Sequence, residues 1–200
     1  MLKAYFDLLK IEAGCDEAGR GCLAGPVVAS AVILPKDFKH AFLNDSKQLR
    51  ASQRSELKLE IETTALAYAI GLVTAQEIDS INILNASFLA MQRAIDTLKM
   101  KPQLLLIDGN RYKPHNEIAY KCIIKGDEKF YAIAAASVLA KTYRDQLMHD
   151  LAIEFPYYGW DTNVGYPTIK HREGLRKHGI SPHHRKTFQL LPRQLALFVK

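Results

Sequence analysis

The sequence has few cysteines and no hydrophobic run long enough to cross a membrane. Its three cysteines, Cys15, Cys22 and Cys122, form no CxxC pair, so we interpret them as reduced thiols and expect no disulfide. The N-terminal segment MLKAYFDLLK is interrupted by charges and lacks the continuous apolar region of a signal peptide. No internal repeat or low-complexity segment is present. We therefore expect a globular protein of the cytoplasm.

The size and charge of the chain indicate one domain that meets a polyanion. Two hundred residues, 48% of them hydrophobic, are enough for a full core. The net charge of +6 is concentrated at one end: residues 170–200 hold eight basic residues and one acid, which leaves −1 for the first 169 residues. Such a basic end fits a polyanionic partner, although an ordinary basic surface would have the same composition.

The hydrophobic pattern alternates between strands and helices. Short β-branched or apolar runs predict strands at residues 11–15, 27–34, 66–73, 104–107 and 119–124. Periodic apolar residues or a run of small residues predict helices at residues 52–64, 80–99, about 129–153 and 167–177. This alternation predicts an α/β fold with a mixed central sheet flanked by helices. Residues 1–155 form the predicted core. Residues 156–200 are rich in glycine, aromatic and basic residues, and we expect them to form a flexible subregion with a basic helix. This subregion completes the same domain.

Carboxylates stand at the predicted ends of three strands. Asp16 and Glu17 follow the first, Asp108 ends the fourth, and Asp127 follows the fifth. Groups at strand ends converge in open α/β sheets, and a site rich in carboxylate oxygens suits Mg²⁺ or Mn²⁺. Two carboxylates about 4 Å apart repel by on the order of 4 kcal/mol at an effective dielectric near 20, so such a cluster needs cations.

Each acid also has a structural interpretation. Asp108 and Gly109 could form only a turn, and Asp127 could be only a helix N-cap. Neighbours on a regular strand point to opposite faces, so Asp16 and Glu17 share a site only if the strand ends or distorts between them.

A second group of residues could bind phosphate or sugar. Gly19, Arg20 and Gly21 allow a tight backbone turn and supply N–H groups and a guanidinium to an anion. Tyr166 offers a ring for a sugar and a hydroxyl for a phosphate, or it is a packed aromatic residue. The candidate phosphate contacts, which could equally be solvated charges, are Ser46, Lys47, Lys170, Arg172 and Arg185. His183 and His184 lack a third spaced ligand, so we expect an exposed, phosphate-facing pair rather than a metal site.

Several motifs occur in the order typical of one family. They are DEAGRG at 16–21, LAGPVVASAVIL at 23–34, DSKQL at 45–49, INILNASFLAM at 81–91, LLIDG at 105–109, KGD at 125–127, AIAAASVLAK at 132–141 and GYPT at 165–168. The chain resembles the ribonuclease HII family, the type 2 ribonucleases H. One departure is Cys22, where the family usually has proline after the Gly-Arg-Gly element.

The resemblance implies a ribonuclease H-like fold and a metal-dependent endoribonuclease. Asp16, Glu17, Asp108 and Asp127 match the family's four metal-binding acids, for Mg²⁺ or Mn²⁺. The implied reaction is two-metal-ion hydrolysis of the RNA strand of RNA/DNA hybrids, and nicking 5′ to ribonucleotides embedded in duplex DNA, with 5′-phosphate and 3′-hydroxyl ends. The backbone of residues 19–21 and Tyr166 would read a ribose and the deoxyribose beyond it.

Two other functions stay open at this stage. The chain could be a noncatalytic hybrid-binding module, or a ribonuclease H-fold nuclease with another substrate.

The C-terminal segment QLALF, from Gln194 to Phe198, is similar to peptides that dock on the replication sliding clamp, although its apolar residues could instead fold back on the domain. Nothing in the sequence requires more than a monomer.

Overall fold

Five strands form one mixed sheet in the computed structural model, which describes residues 2–43 and 49–191. The strands are β1 Glu12–Ala18, β2 Val27–Ile33, β3 Ala67–Val73, β4 Leu104–Asp108 and β5 Ala119–Ile123, in the spatial order β3-β2-β1-β4-β5. The first three pair antiparallel, while β4 lies parallel to β1 and β5 parallel to β4. This arrangement confirms the predicted mixed sheet flanked by helices.

Helices cover both faces of the sheet. They are α1 Ala51–Thr64, α2 Ala75–Ile81, α3 Ile83–Asp96, α4 Tyr131–Glu154, α5 Trp160–Asn163 and α6 Ile169–His178. The α3 helix packs on one face and α4 on the other, so β2 is buried along its whole length. None of the helices in the described ranges is long and apolar enough to span a membrane.

Small residues let the two main helices approach the sheet closely. A Cβ atom added to Gly14 of β1 would lie 2.2 Å from the carbonyl carbon of Ala132 in α4, and one added to Gly71 of β3 would lie 2.0 Å from the carbonyl oxygen of Ala90 in α3. Real Cβ contacts are never this short, so both positions require glycine. The alanine-rich first half of α4 thus lies directly against β1, as its composition predicts.

Three predicted boundaries are wrong. The helix expected at residues 80–99 is two helices, because Asn82 adopts a φ of 65° and its side chain accepts the Asn85 N–H at the start of α3. The long helix begins at Tyr131, since a 3₁₀ turn at Gly126–Glu128 comes first. Phe130 is therefore the N-cap, and Asp127 is not. The first strand continues to Ala18, so both of its acids lie within it.

The described part of the C-terminal subregion packs against the core. Trp160 is fully buried, and Tyr158, Val164 and Leu175 form a cluster with Met148 of α4. This packing continues through partly buried Phe188 and Leu190. Up to Leu191 the subregion is therefore packed on the core, because α4 provides an apolar surface for these residues.

Candidate active site

A cavity of about 280 Å³ lies where β1, β4 and α4 meet. Its lining combines three carboxylates with a Gly-Arg-Gly turn, a lysine and a tyrosine: Asp16, Glu17, Ala18, Gly19, Arg20, Gly21, Asp108, Ser137, Lys141 and Tyr166. Seven of the sequence-predicted site residues therefore come together in one place. They are Asp16, Glu17, Gly19, Arg20, Gly21, Asp108 and Tyr166.

Asp16 is the most buried of the cavity's acids. It is only 5% exposed, and it faces α4 because it follows Gly14 by two residues on β1. Burial first, and then the negative charges of Glu17 and Asp108, raise the pKa of Asp16 well above its ordinary value. Hydrogen bonds from the Ser137 hydroxyl and from the Glu17 N–H at 2.7 Å oppose this shift. The site therefore favours a cation that would relieve the repulsion.

Glu17 reaches the same cavity although β1 does not end before it. The antiparallel pairing with β2 continues through Glu17 and Ala18, whereas the parallel pairing with β4 stops at Cys15. Asp16 and Glu17 thus lie beyond the last β1–β4 pair, on the side where the cavity opens. The Glu17 carboxylate forms an ion pair with Arg20 at 3.1 Å.

Asp108 is the last residue of β4. The parallel register pairs Cys15 with Ile107, so Asp108 lies beside Asp16 on the next strand. Its Oδ1 accepts a hydrogen bond of 2.7 Å from the Gly126 N–H, which anchors the turn after β5 to the end of β4. This bond also orients the Asp108 carboxylate.

Asp127 is the one predicted acid that does not line the cavity. It lies in the 3₁₀ turn directly after Gly126 and is 6% exposed. The bond from Gly126 to Asp108 keeps this turn next to the site. The structure thus brings three of the four predicted acids together and leaves the fourth in an adjacent turn.

The donor atoms of the site fit a hard divalent cation. The cavity offers carboxylate oxygens and a hydroxyl, with no thiol or imidazole among its lining residues, and Mg²⁺ and Mn²⁺ prefer oxygen ligands. Across residues 2–43 and 49–191, no three carboxylate, imidazole or thiol groups are already close enough to hold a metal ion. The chemistry of Asp16, Glu17 and Asp108 thus fits a divalent cation, although these three acids are not yet arranged as a complete ligand set.

The Gly-Arg-Gly turn and Tyr166 form another part of the lining. Gly19 has a φ of 95°, a conformation that favours glycine. Tyr166 is 40% exposed, and its ring lies 4.0 Å from the position that a Cβ atom on Gly21 would occupy. Burial, and then the neighbouring Cys22, raise the pKa of Tyr166, so its hydroxyl stays protonated at neutral pH.

Sequence reasoning missed two residues of the cavity, Ser137 and Lys141. They are the only polar residues of the AIAAASVLAK segment and are four positions apart, so they share one face of α4. The Lys141 ammonium lies 2.7 Å from Asp145 and 5.8 Å from the Tyr166 ring centre. Two polar residues at helical spacing in an otherwise apolar run were the available signal.

The structure corrects the interpretation of Arg185 as a phosphate contact. Its side chain is fully buried and donates to the backbone carbonyls of Gly19, Arg20 and Gly25. The guanidinium is therefore already surrounded by acceptors inside the protein. Lys170 is exposed and pairs with Asp161 at 3.6 Å.

Arg172 is partly buried and donates to the Leu190 carbonyl. Neither Arg172 nor Lys170 lines the cavity. Ser46 and Lys47 lie outside the described residues.

His184 is also buried, which contradicts the prediction of an exposed pair. The Ser181 N–H donates to His184 Nδ1 at 2.9 Å, and His184 Nε2 lies 3.0 Å from His171 Nε2. Because the Trp160 N–H donates to the same His171 atom, His184 Nε2 carries the proton and donates. His171 Nδ1 then donates to the Tyr166 carbonyl at 2.9 Å.

Both rings of this pair are neutral at neutral pH. Burial, reinforced by the neighbouring His171, lowers the pKa of His184 to about 4. Burial also lowers the pKa of His171. The two imidazoles thus act as buried hydrogen-bonding groups that connect residues 181–185 to the loop carrying Tyr166.

Solved structures with the same fold define the class of this protein. The ribonuclease H2 from Pyrococcus horikoshii OT3 superposes with a TM-score of 0.75 and 28% identity, covering 90% of this chain and 94% of that one. The RNase HII of a PCNA:RNase HII complex from Archaeoglobus fulgidus superposes with a TM-score of 0.72 and 24% identity, covering 92% and 98%. Together with the carboxylate-lined cavity, the fold defines a nuclease of the ribonuclease H-like class.

Sequence comparison gives the family. The model of the family described as Ribonuclease HII matches residues 13–191. A Ribonuclease HII from Parabacteroides distasonis is 60% identical over 197 residues, which cover 98% of this chain and 99% of the relative. The chain therefore belongs to the ribonuclease HII family and is an endoribonuclease of the ribonuclease H type. The noncatalytic interpretation of the sequence is thereby wrong.

Proposed function

We propose that the protein hydrolyses the RNA strand of RNA/DNA hybrids and nicks duplex DNA 5′ to single embedded ribonucleotides, leaving 5′-phosphate and 3′-hydroxyl ends. The observation that carries this proposal is the lining of a single cavity by three carboxylates, the Gly-Arg-Gly turn and Tyr166. A phosphodiester next to a ribose could thus meet the acids and the sugar-reading groups at once.

Asp16, Glu17 and Asp108 would hold the metal ions, with Asp127 in the adjacent turn as the fourth acid. Mg²⁺ or Mn²⁺ bound there would supply an attacking water of lowered pKa and neutralise charge on the departing 3′ oxygen. Asp16 has to be deprotonated to hold such an ion, and a cation beside it would favour that form against the repulsion from Glu17 and Asp108. The Ser137 hydroxyl supports the same form by donating to the Asp16 carboxylate.

Substrate choice would rest on the other wall of the cavity. A 2′-hydroxyl both donates and accepts hydrogen bonds and is what distinguishes RNA from DNA. The backbone of Gly19, Arg20 and Gly21 would offer N–H donors to such a hydroxyl, and Tyr166 would present a ring to the next sugar. Lys141 and the exposed Arg20 guanidinium add positive charge for the phosphates, and Lys170 and Arg172 extend it outside the cavity.

A duplex DNA of 20 to 30 base pairs, roughly, with one central ribonucleotide tests the proposal. We expect metal-dependent cleavage 5′ to the ribonucleotide, because one 2′-hydroxyl is enough to engage the Gly-Arg-Gly turn. The end-labelled duplex is incubated with Mg²⁺, Mn²⁺ or chelator, beside all-DNA and RNA/DNA hybrid duplexes. Cleavage of the long hybrid alone would contradict the roles of Gly19, Arg20, Gly21 and Tyr166, and cleavage of all-DNA would contradict ribose reading altogether.

We further propose that the segment from Gln194 to Phe198, which lies outside the described residues, docks on the bacterial sliding clamp. The support is the QLALF sequence, with a hydrogen-bonding glutamine and apolar anchors, together with the solved complex of an archaeal RNase HII with PCNA. Cytoplasmic location and a monomeric state stay predictions from the sequence.

Deletion of residues 194–200 is expected to weaken clamp binding at least about tenfold, since interface anchors of this kind carry most of the binding energy. Surface plasmon resonance on immobilised clamp measures it, with Lys200→Ala as the control that keeps the segment. Cleavage of the short duplex should stay at the rate of the intact chain. Undiminished clamp binding by the truncated protein would refute the docking role.

A further inference from the structure

Arg185 is bound to the same turn that we propose reads the ribose. Its Nη2 donates to the Gly19 carbonyl at 2.7 Å and its Nη1 to the Arg20 carbonyl at 2.9 Å. Nε and Nη2 also donate to the Gly25 carbonyl at 3.1 and 3.0 Å. The side chain is 0% exposed. The buried guanidinium thus donates hydrogen bonds to the carbonyls of one loop, which lies 160 to 166 residues earlier in the chain.

The direction of these carbonyls determines the direction of two N–H groups. No described peptide bond is cis, and in a trans peptide the N–H points opposite to the carbonyl of the same peptide unit. Since the Gly19 and Arg20 carbonyls point at Arg185, the Arg20 and Gly21 N–H groups point away from it. Residues 19–21 line the cavity, whereas Arg185 does not. The two N–H groups thus point away from Arg185, in a turn that lines the cavity where a sugar would lie.

The turn by itself restrains these two peptides weakly. Glycine has more backbone freedom than any other residue type, and this turn has glycine at both position 19 and position 21. The turn's own backbone bond, from the Cys22 N–H to the Gly19 carbonyl, is long at 3.4 Å. The shorter bond from Arg185 to the same carbonyl is the stronger restraint.

The segment that carries Arg185 is itself hydrogen-bonded to the loop that follows the Gly-Arg-Gly turn and, through His171, to the loop that carries Tyr166. The Arg185 N–H donates to the Leu23 carbonyl at 2.9 Å, and the Gly25 N–H donates to the His183 carbonyl at 2.9 Å. The adjacent His184 is connected through His171 to the Tyr166 carbonyl. Arg185 is thus placed by the same buried contacts that place Tyr166.

We propose that Arg185 is a positioning residue for ribose recognition: its fork fixes the Gly19–Arg20 and Arg20–Gly21 peptides so that two N–H groups converge on the 2′ oxygen. This inference rests on the proposed function, since it assigns the cause of the discrimination between ribose and deoxyribose. Arg185 touches neither substrate nor metal and acts only through the turn.

Arg185→Lys is the informative variant, because lysine keeps the buried charge but loses the planar fork that binds two adjacent carbonyls. We expect kcat/KM on the single-ribonucleotide duplex to fall about 10- to 100-fold, as for the loss of a buried hydrogen-bond partner. We also expect the ratio of the Kd for all-DNA to the Kd for the ribonucleotide duplex, measured in chelator, to fall towards one.

Ile95→Ala serves as the stability control. Ile95 is buried in α3, which packs on the face of the sheet that α4 does not cover. It should lower Tm but leave the Kd ratio at the wild-type value. A wild-type ratio in Arg185→Lys, or an equal loss of the ratio in Ile95→Ala, would overturn the positioning role. Failure of the wild-type protein to cut the ribonucleotide duplex would instead refute the proposed function.

A measurement on the wild-type protein keeps the inference testable if Arg185→Lys does not fold. The backbone amide signals of Arg20 and Gly21 are followed by NMR during titration with either duplex in chelator. Both should shift with the ribonucleotide duplex and shift less with all-DNA. Identical responses to the two duplexes would overturn the proposal.

Discussion

Asp108→Asn is expected to lower the cleavage rate by about a thousandfold or more, as for removal of an essential charge-stabilising group, while the protein stays folded. Asparagine has the same shape and keeps a carbonyl oxygen for the Gly126 N–H, which now donates to Asp108 at 2.7 Å. It lacks the negative charge that would attract a divalent ion. The substitution also removes a charge that now repels Asp16, so Tm should stay constant or rise.

Single-turnover cleavage of the ribonucleotide duplex and thermal unfolding, both with and without Mg²⁺, measure this pair of effects. Asp150→Asn is the matched control, since Asp150 is an exposed carboxylate on α4 that does not line the cavity. The control should cut at the wild-type rate. Wild-type activity in Asp108→Asn would remove Asp108 from the mechanism.

Gly14→Ala is expected to destabilise the protein by about 3 kcal/mol or more, at the upper end for overpacking a core. The added Cβ would lie 2.2 Å from the Ala132 carbonyl carbon and 2.4 Å from the Ile133 nitrogen. Both are backbone atoms of α4, so no side-chain rotation can relieve the contact. The helix would have to move away from β1, which would also separate Ser137 from Asp16 and lower the cleavage rate.

Urea unfolding at constant pH measures the loss, and Gly179→Ala is the matched control. Gly179 has a φ of 74° and a ψ of −159°, a conformation almost confined to glycine, but no atom lies within 4 Å of an added Cβ. Backbone strain alone, of about 1 to 3 kcal/mol, is therefore expected there. If Gly14→Ala is no more destabilised than Gly179→Ala, the close approach of α4 to β1 does not limit stability.

Elements that local patterns encode could be predicted from the sequence alone. The β-branched and apolar runs at residues 27–34, 66–73 and 104–107 agree with β2, β3 and β4 to within one residue at each end. The alternation of strands and helices was sufficient to predict that acids at the ends of separate strands lie at one edge of the sheet, because groups at strand ends converge in open α/β sheets. Asp16 and Asp108 were therefore predictable as neighbours.

Some local signals were ambiguous. The apolar periodicity of residues 80–99 continues across the break at Asn82. The new helix starts there because the Asn82 side chain caps it, and apolar periodicity does not reveal such a cap. Glu17 was expected to share the site with Asp16 only if the strand ended or distorted between them, and the strand does not end there, although its pairing with β4 stops at Cys15. Such details depend on which neighbouring strand stops first.

The contacts that hold the Gly-Arg-Gly turn could not be predicted from the sequence. Arg185 lies in a basic segment whose composition suggests solvated charges. Its partners are nevertheless backbone carbonyls of the Gly19–Gly25 loop. Backbone carbonyls are the same in every residue, so no sequence pattern marks them as partners of a distant arginine. The same holds for Ser137, which meets Asp16 only because Gly14 lets α4 lie against β1. Contacts between distant segments depend on how whole elements pack, and that packing is decided by the fold.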